Sequence, residues 1–170
     1  MTQIVHGDRP VHGTPSRQAI RRAMQPPASD RYLDFYKADA VERIRLIKLG
    51  VLASDAKVII SYISGVQAEG MRALNISAAT LNRKVKGEER LPAAESERVL
   101  GVARLVGQVE AIVGESGNPE GFDATAWLSR WLGEPLPALG GVRPRDLLDT
   151  IEGQNLVSAS LARIQSGAYA

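Results

Sequence analysis

The sequence predicts an all-α fold for this chain of 170 residues. Apolar residues recur three and four positions apart in most segments after residue 30, which is the period of an amphipathic helix. Ser, Asp or Pro precedes these segments and Gly follows several of them, the order in which helices begin and end. The segment 51–63 is rich in β-branched residues, but its polar triplet at 54–56 and the lack of a partner strand argue against a β-strand.

The composition limits the chemistry that the chain can perform. Cysteine is absent, which excludes disulfides, thiolate catalysis and zinc sites that contain Cys. Hydrophobic residues make up 44% of the chain but aromatic residues only 5%, so the core must be mainly aliphatic. No stretch is long and apolar enough for a membrane span, and the N-terminus lacks the apolar run of a secretory signal. We therefore expect a cytoplasmic protein with no membrane partner.

Composition and charge divide the chain into three segments. Residues 1–29 are rich in Gly, Pro, Ser, Thr and Arg without sustained apolar periodicity, so we expect a flexible segment with room for a short helix at 17–24. Residues 30–115 follow as a mildly basic helical domain. Residues 116–170 carry four arginines and six carboxylates, a net charge of −2, and form a second helical domain after a linker at 114–121.

Capping residues predict where the helices begin and end. Asp39 and Glu42 resemble an N-terminal capping pair, and Gly50 stops the helix that they begin. Ser54 or Asp55 is expected to cap the next helix, which ends at 64–65. The other helices are predicted over 66–74, from the Ser77 cap to Gly87, from Pro92 to about Val113, and over 123–132, 144–152 and 155–166, with a break at Gly153.

The segments 67–74 and 77–86 have the dimensions of a helix-turn-helix, in which the second helix enters the DNA major groove. Ser77, Thr80 and Arg83 lie three residues apart, so we predict that they share the side that faces the bases. The alternative is a solvated helix whose charges only keep the protein soluble. The Glu69-Gly70 pair also counts against a stable supporting helix. Four basic residues nearby suit phosphates: Arg72, Lys84, Lys86 and Arg90.

The order of motifs along the chain is similar to that of a known family. Residues 77–84 read Ser-x-x-Thr-Leu-x-Arg-Lys, followed by Leu91-Pro92, Glu95-Ser96-Glu97-Arg98 and a long helix. The C-terminal part continues with Trp127-Leu128 or Trp131-Leu132, then Pro135, Leu139-Gly140-Gly141, Pro144, Leu147-Leu148, Thr150, Gly153, Val157, Leu161-Ala162-Arg163-Ile164 and Gly167. Over about residues 40–170, this order resembles the Xre/MbcA/ParS antitoxins of type II toxin–antitoxin systems, which pair with RES-domain toxins.

The resemblance implies an antitoxin with two functions. Its Xre-like helix-turn-helix bundle would bind operator DNA and repress its own operon, as a homodimer where the operator is palindromic. Its small helical C-terminal domain would bind a RES-domain toxin and block the active site of that NAD⁺-consuming enzyme. The NAD⁺ then belongs to the toxin, and this chain needs no cofactor. The alternative is a stand-alone helix-turn-helix transcription regulator whose C-terminal domain only dimerises.

The residues offer little catalytic chemistry of their own. The sequence contains neither a Gly-rich phosphate loop after a strand nor a nucleophile elbow. His6 and His12 lack the Cys or carboxylate support of a metal site. Asp146 and Asp149 lie three residues apart, but Asp146 suits the positive N-terminus of a helix that begins at Pro144. We therefore expect that the chain is not an enzyme and binds no metal.

Two apolar stripes in the C-terminal domain are expected to form its core: Trp127, Leu128, Trp131 and Leu132 in one helix, and Leu156, Val157, Ser160, Leu161 and Ile164 in the last. Arg163 and Gln165 lie off the second stripe, so we predict that they contact the toxin. Tyr169 and the Ala170 carboxylate are expected to enter the toxin's cleft on the short tail that includes Gly167 and Ala168. The alternative for this tail is an inert, frayed chain end.

Overall fold

The structure, a computed structural model, describes residues 30–117 and 120–165, and the side chains of Asp30 and Gln165 are not among the described parts. Eight α-helices lie within these ranges: α1 Asp30–Lys37, α2 Ala40–Leu49, α3 Ala53–Ser61, α4 Gln67–Ala73, α5 Ala78–Lys86, α6 Ala93–Glu115, α7 Ala124–Leu132 and α8 Ile151–Gln165. Two 3-10 turns, Pro137–Leu139 and Pro144–Leu147, separate α7 from α8. The all-α fold is confirmed, since extended pairing in the described ranges amounts to one bridge between Leu52 and Arg90. The predictions for residues 1–29, including His6, His12 and the helix at 17–24, lie outside the described residues.

The 23-residue helix α6 is the centre of the fold. It packs against α1, α2 and α3 of the first part of the chain and against α7 and α8 of the last part. Its buried side chains are mainly aliphatic, as the composition predicts: Val99, Leu100, Val102, Leu105, Val106 and Val109. These residues belong to one continuous cluster that extends from Val51 to Leu161. Both parts of the chain therefore share a single hydrophobic core.

Several helix ends follow the predicted capping chemistry. The Asp39 carboxylate accepts the Glu42 N–H at 2.9 Å, and Gly50 ends α2 with a φ of 84°, in the region that favours glycine. The side chain of Ser77 likewise caps α5, and that of Asp123 caps α7. These predictions are confirmed. The sequence alone could make them because each cap depends on residues only a few positions apart.

The predicted cap of α3 is wrong. The helix begins at Ala53, one residue before Ser54, and has no side-chain cap. The backbone N–H of Ala53 instead donates to the carbonyl oxygen of Glu89 at 3.0 Å, so a distant segment of the chain satisfies this helix end. Asp55 lies half-buried in the first turn, and burial raises the pKa of its carboxyl group.

The predicted break at Gly153 is also wrong. Residues 144–147 form a 3-10 turn, and α8 then runs without interruption from Ile151 to Gln165 through Gly153. A Cβ atom at residue 153 would overlap the carbonyl oxygen of Leu147. Glycine is therefore needed here because the helix passes close to the preceding turn. The turn contacts α8 along this approach.

Candidate functional site

Helices α4 and α5 form the predicted helix-turn-helix. The turn between them places Asn75 at a φ of 50°, while Leu74 and Ile76 on either side are buried in the core. From α6, the Arg98 Nε atom donates to the carbonyl oxygen of Leu74 at 2.8 Å, which satisfies the C-terminal end of α4. The two buried side chains and this hydrogen bond hold the angle between the two helices.

The structure gives the Glu69-Gly70 pair a packing role. A Cβ atom at residue 70 would overlap the carbonyl oxygen of Ile60, so the glycine allows α4 to lie close against α3. Glu69 is on the surface, where its Oε2 atom lies 3.2 Å from Nη1 of Arg145 in the second 3-10 turn. The pair that counted against a supporting helix therefore fixes that helix to two neighbours.

Helix α5 has one buried and one exposed face. Leu81 is fully buried and Val85 packs against the core. The Ser77 hydroxyl is exposed and accepts the Thr80 N–H at 3.4 Å, whereas the Thr80 side chain is half-buried. The exposed residues of the helix are Ala78, Ala79, Asn82, Arg83 and Lys86, and the last four are spaced by three and four residues.

Asn82 is a candidate that reasoning from the sequence missed. It lies beside Arg83 on the exposed face, and an Asn side chain can form two hydrogen bonds with an adenine edge. The signal was present in the sequence, since the buried positions Leu81 and Val85 place residue 82 on the opposite side of the helix.

The basic residues around α5 are not equally accessible. The Lys84 side chain is only 14% exposed, with its Nζ atom 2.9 Å from Oε2 of Glu89, and the Arg83 Nη1 atom lies 3.6 Å from Oε1 of the same carboxylate. The hydrogen bond and charge of Lys84, with the charge of Arg83, hold the pKa of Glu89 below its usual range. Arg90 donates from Nη1 to the carbonyl oxygen of Gly50 at 2.6 Å.

Arg72, Arg83 and Lys86 are the exposed cations of this surface. The side chains of Arg72 and Lys86 make no hydrogen bond or ion pair with another residue of the described ranges, and the Arg83 side chain is 67% exposed. All seven predicted DNA-binding residues lie within α4, α5 or the short segments that adjoin them. The structure also shows that Lys84 and Arg90 make contacts within the protein.

The apolar stripe of α7 is mostly buried, as predicted. Leu128 and Leu132 are fully buried, and Trp131 is buried beneath Trp127, with the two rings nearly parallel and their centroids 5.9 Å apart. Trp127 remains half-exposed and also contacts Phe122 at a centroid distance of 6.4 Å. Leu128, Trp131 and Leu132 thus hold α7 against the core, and the stack within the helix covers the Trp131 ring.

Two buried glutamines hold α8 against its neighbours. The Gln154 Nε2 atom donates to the carbonyl oxygens of Arg98 and Leu148, both at 2.9 Å. Gln108 of α6 donates to the carbonyl oxygen of Ser158 at 2.9 Å and accepts its hydroxyl at 2.7 Å. These bonds satisfy polar groups inside the core and fix which face of α8 points outward.

The outward face of α8 differs from the prediction at one position. Val157, Ser160 and Leu161 are buried and Ile164 is half-buried, but Leu156 is 43% exposed. The prediction that Leu156 belongs to the core is therefore wrong. Leu156 and Arg163 lie seven residues apart, on the same exposed face. The Gln165 side chain and the tail residues Gly167, Ala168, Tyr169 and Ala170 lie outside the described residues.

Residues 30–117 and 120–165 contain no cluster of three or more His, Cys, Asp or Glu side chains arranged for a metal ion. Of the helices in these ranges, none combines the length and the hydropathy of a membrane span.

Two family descriptions match adjacent parts of the chain. The Antitoxin Xre-like helix-turn-helix domain matches residues 42–104, and the Antitoxin Xre/MbcA/ParS C-terminal toxin-binding domain matches residues 108–167. The first covers α4 and α5, and the second covers α7, α8 and the end of α6.

Similar proteins carry antitoxin names. The chain is 52% identical over 157 residues to the Prs ADP-ribosylating antitoxin of Sphingobium sp. (strain YBL2), an alignment that covers 92% of this chain and 97% of that protein. It is 30% identical to the Antitoxin Xre of Yersinia enterocolitica over 72% of this chain and 78% of that protein. It is 28% identical to the Antitoxin Xre of Pseudomonas putida over 54% and 52%, respectively. The chain therefore belongs to the Xre/MbcA/ParS antitoxin family and combines an Xre-like helix-turn-helix domain with a C-terminal toxin-binding domain.

Proposed function

We propose that this antitoxin neutralises a RES-domain, NAD⁺-consuming toxin by blocking its active site, and that it represses its own operon by binding operator DNA. The observation that carries the first part is the geometry of α8. This last helix of the toxin-binding domain is fixed on its inner side by Gln108 and Gln154 and exposes Leu156 and Arg163 on its outer side. A helix anchored in this way holds an exposed apolar side chain and an exposed arginine in fixed positions, which favours it as a docking surface for a protein partner.

The name of the Sphingobium relative supports the proposed chemistry of the toxin. That name refers to ADP-ribosylation, and transfer of ADP-ribose uses NAD⁺ as the donor. In our proposal the toxin binds NAD⁺ and performs this reaction, whereas the antitoxin contributes no catalytic residue and no cofactor. The antitoxin acts in the cytoplasm, where both the toxin and the operator are found.

The toxin contacts that we propose are Arg163, Gln165, Gly167, Ala168, Tyr169 and Ala170, together with Leu156, whose exposure supports its inclusion. The outer face of α8 would dock on the toxin, and the tail would carry the Tyr169 ring into the cleft. Tyrosine suits such a position because it offers a large apolar ring with a polar tip.

Titration of active toxin with antitoxin variants, followed by NAD⁺ consumption, tests this arrangement. Deletion of residues 167–170 is expected to raise the antitoxin concentration needed for half-inhibition by at least about ten-fold. Leu156→Ser should have a similar effect, whereas Val142→Ser, at another exposed apolar residue of the same domain, should not. Full inhibition by the deletion variant at the wild-type concentration would reject the tail contact.

For DNA, we propose that Ser77, Thr80 and Arg83 face base edges together with Asn82, and that Arg72, Lys84, Lys86 and Arg90 lie near phosphates. Arg72 and Lys86 should contribute most, since Lys84 and Arg90 already contact other groups of the protein. A homodimer within a larger toxin–antitoxin complex would present two copies of α5 to the half-sites of a palindromic operator.

Fluorescence anisotropy with the upstream promoter fragment tests the DNA surface. Arg83→Ala should weaken binding to the operator, and Lys86→Ala should reduce the slope of log affinity against log salt by about one. Arg130→Ala removes an exposed arginine from α7 and serves as the control. If Arg83→Ala and Lys86→Ala both behave like this control, α5 is not the recognition helix.

The mass of the complex with the toxin separates this proposal from a stand-alone transcription regulator. A stable complex that contains both proteins supports the antitoxin. A chain that dimerises and binds DNA but never associates with a toxin encoded by a neighbouring gene would support the stand-alone transcription regulator.

A further inference from the structure

A groove separate from both proposed surfaces lies between α1, α2, α6 and α8. It encloses a cavity of about 170 Å³ with mainly apolar walls, formed by Phe35, Ile44, Ile47, Leu100 and Ile151. Ile44 and Ile151 stand at its rim and remain 49% and 40% exposed. Val41, three residues before Ile44 in α2, is also exposed. Large apolar side chains grouped in this way mark an interaction site more often than a random surface does.

Two arginines give the groove a positive charge. Arg43 of α2 and Arg104 of α6 both line it, and neither forms an ion pair with a carboxylate in the described ranges. Glu97 lines the same groove but pairs with neither of them. Burial, and then the charge of Arg43, hold the pKa of Arg104 below its usual range. The positive charges are thus close enough to repel each other.

Hydrogen bonds hold both arginines in place but leave most of the N–H donors of each guanidinium unused. The Arg104 Nη2 atom donates to Oδ1 of Asn155 at 3.0 Å, while its buried Nε atom has no acceptor among the described residues. Arg43 donates from Nη1 to the carbonyl oxygens of Tyr36 and Ala38. An oriented guanidinium with spare donors matches the two oxygens of a carboxylate.

We propose that this groove binds an acidic amphipathic segment of a partner polypeptide, whose carboxylates meet Arg43 and Arg104 while an apolar side chain enters the cavity. The charge of the groove and the apolar residues at its rim define this chemistry together. DNA would match the arginines but not the exposed isoleucines, which would lose contact with water without gaining an apolar partner.

Charge also argues against occupants supplied by this chain. Residues 1–29 contain four arginines and one aspartate, so that segment is repelled by the two arginines of the groove. Two copies of the chain that met through this groove about a two-fold axis would bring four arginines together. A separate, acidic partner avoids both costs.

A fluorescently labelled peptide of Leu and Glu at helical spacing, together with a copy in which Gln replaces each Glu, tests the proposal on the full chain. We expect the acidic peptide to bind at least about ten-fold more tightly than the neutral copy, because only the former can form charge-assisted hydrogen bonds. Changes in amide chemical shifts should be concentrated in α1, α2, α6 and the first turn of α8.

Two variants of one exposed residue provide the matched comparison. Ile44→Glu should weaken binding of the acidic peptide by about ten-fold or more, whereas Ile44→Lys, which also removes the apolar side chain, should weaken it much less. Both changes are at an exposed position, so the fold should persist, and thermal unfolding checks this. Arg104→Met should also weaken binding by about ten-fold.

Equal binding of the acidic and neutral peptides, or equal effects of Ile44→Glu and Ile44→Lys, would overturn the proposal. Changes in amide chemical shifts that lie mainly outside the groove would also overturn the proposal. If the peptide does not bind and Ile44→Glu lowers the mass of the free protein in solution, the groove is an interface between copies of this chain, and the proposal is again wrong. None of these measurements requires the toxin, so their failure leaves the proposed neutralisation intact.

Discussion

Arg145 and Glu69 form an ion pair between the two domains of this antitoxin, with Nη1 of Arg145 lying 3.2 Å from Oε2 of Glu69. Arg145 belongs to the 3-10 turn that precedes α8, and Glu69 belongs to the first helix of the helix-turn-helix. The two side chains are 24% and 45% exposed, so water screens their interaction. The pair therefore joins α4 to the turn before α8 but should contribute little to the stability of the fold.

A double-mutant cycle of Arg145→Ala and Glu69→Ala should give a coupling energy of about 0–1 kcal/mol, as for other exposed ion pairs. Urea unfolding of the wild type, both single variants and the double variant measures it. Arg143→Ala, an exposed arginine of the same region, serves as the control for the loss of one positive charge. A coupling above about 2 kcal/mol would mean that the pair belongs to a larger network.

Gly70→Ala should destabilise the protein by about 1–3 kcal/mol, since the added methyl group overlaps a backbone carbonyl of α3 that has no freedom to rotate away. Gly114→Ala is the matched control. Residue 114 lies in the last turn of α6, where a Cβ atom meets no other group within 4 Å. That change should stabilise the protein by about 0.5–1 kcal/mol. The midpoint of urea unfolding distinguishes the two, and a stabilising Gly70→Ala would contradict the close packing of α3 and α4.

The stability of the toxin-binding domain should depend on pH through Asp123, the N-cap of α7. The backbone N–H of Ala126, followed by the hydroxyl of Thr125, holds the pKa of this carboxyl below its ordinary value of 3.8. Because the folded state lowers this pKa, the contribution of the ionised carboxylate is complete above pH 3.8 and is lost as the pH falls through the lower folded value.

Asp123→Asn keeps a capping oxygen that does not titrate. As the pH falls from about 5 to about 2, the variant should therefore lose less stability than the wild type. Asp123→Ala should cost about 1 kcal/mol at neutral pH. Urea unfolding at several pH values measures both effects. Identical pH profiles of the wild type and Asp123→Asn would show that the carboxylate of Asp123 does not titrate differently on folding.

Glu89→Gln should strengthen operator binding and steepen its salt dependence, because it releases Lys84 and Arg83 from a shared carboxylate. We expect an increase in affinity of about three- to ten-fold at low salt. Glu88→Gln changes the net charge equally, but no ion pair joins Glu88 to another described residue. It should therefore have the smaller effect. Equal effects of the two changes would mean that only total charge matters.

The sequence predicted those parts of the fold that depend on neighbouring residues. The Asp39 cap, the Gly50 stop and the Ser77-to-Gly87 helix each require only a local hydrogen bond or backbone angle, and all are confirmed. The prediction for Gly153 is wrong because a glycine that ends a helix and a glycine that allows close packing look alike in one sequence. Only the position of Leu147 beside it distinguishes the two uses.

In the candidate surfaces, too, the sequence predicts what depends on neighbouring residues and misses what depends on distant ones. The sequence placed the predicted DNA-binding residues within the short segment 72–90. It could not reveal that Glu89 binds Lys84 or that Arg90 reaches the carbonyl oxygen of Gly50, since these contacts depend on how the chain returns past α3. Leu156 was assigned to the core for a related reason, because an apolar residue at the edge of a stripe can face either way.

The central position of α6 has a consequence for how the antitoxin is degraded. Because α6 packs on helices from both parts of the chain, and their side chains join in one core, neither part keeps its hydrophobic surface covered when the other opens. Unfolding should then be one cooperative event. Under the proposed function, a protease that cuts the opened chain would end both the repression of the operon and the neutralisation of the toxin, so a single degradation rate would govern both.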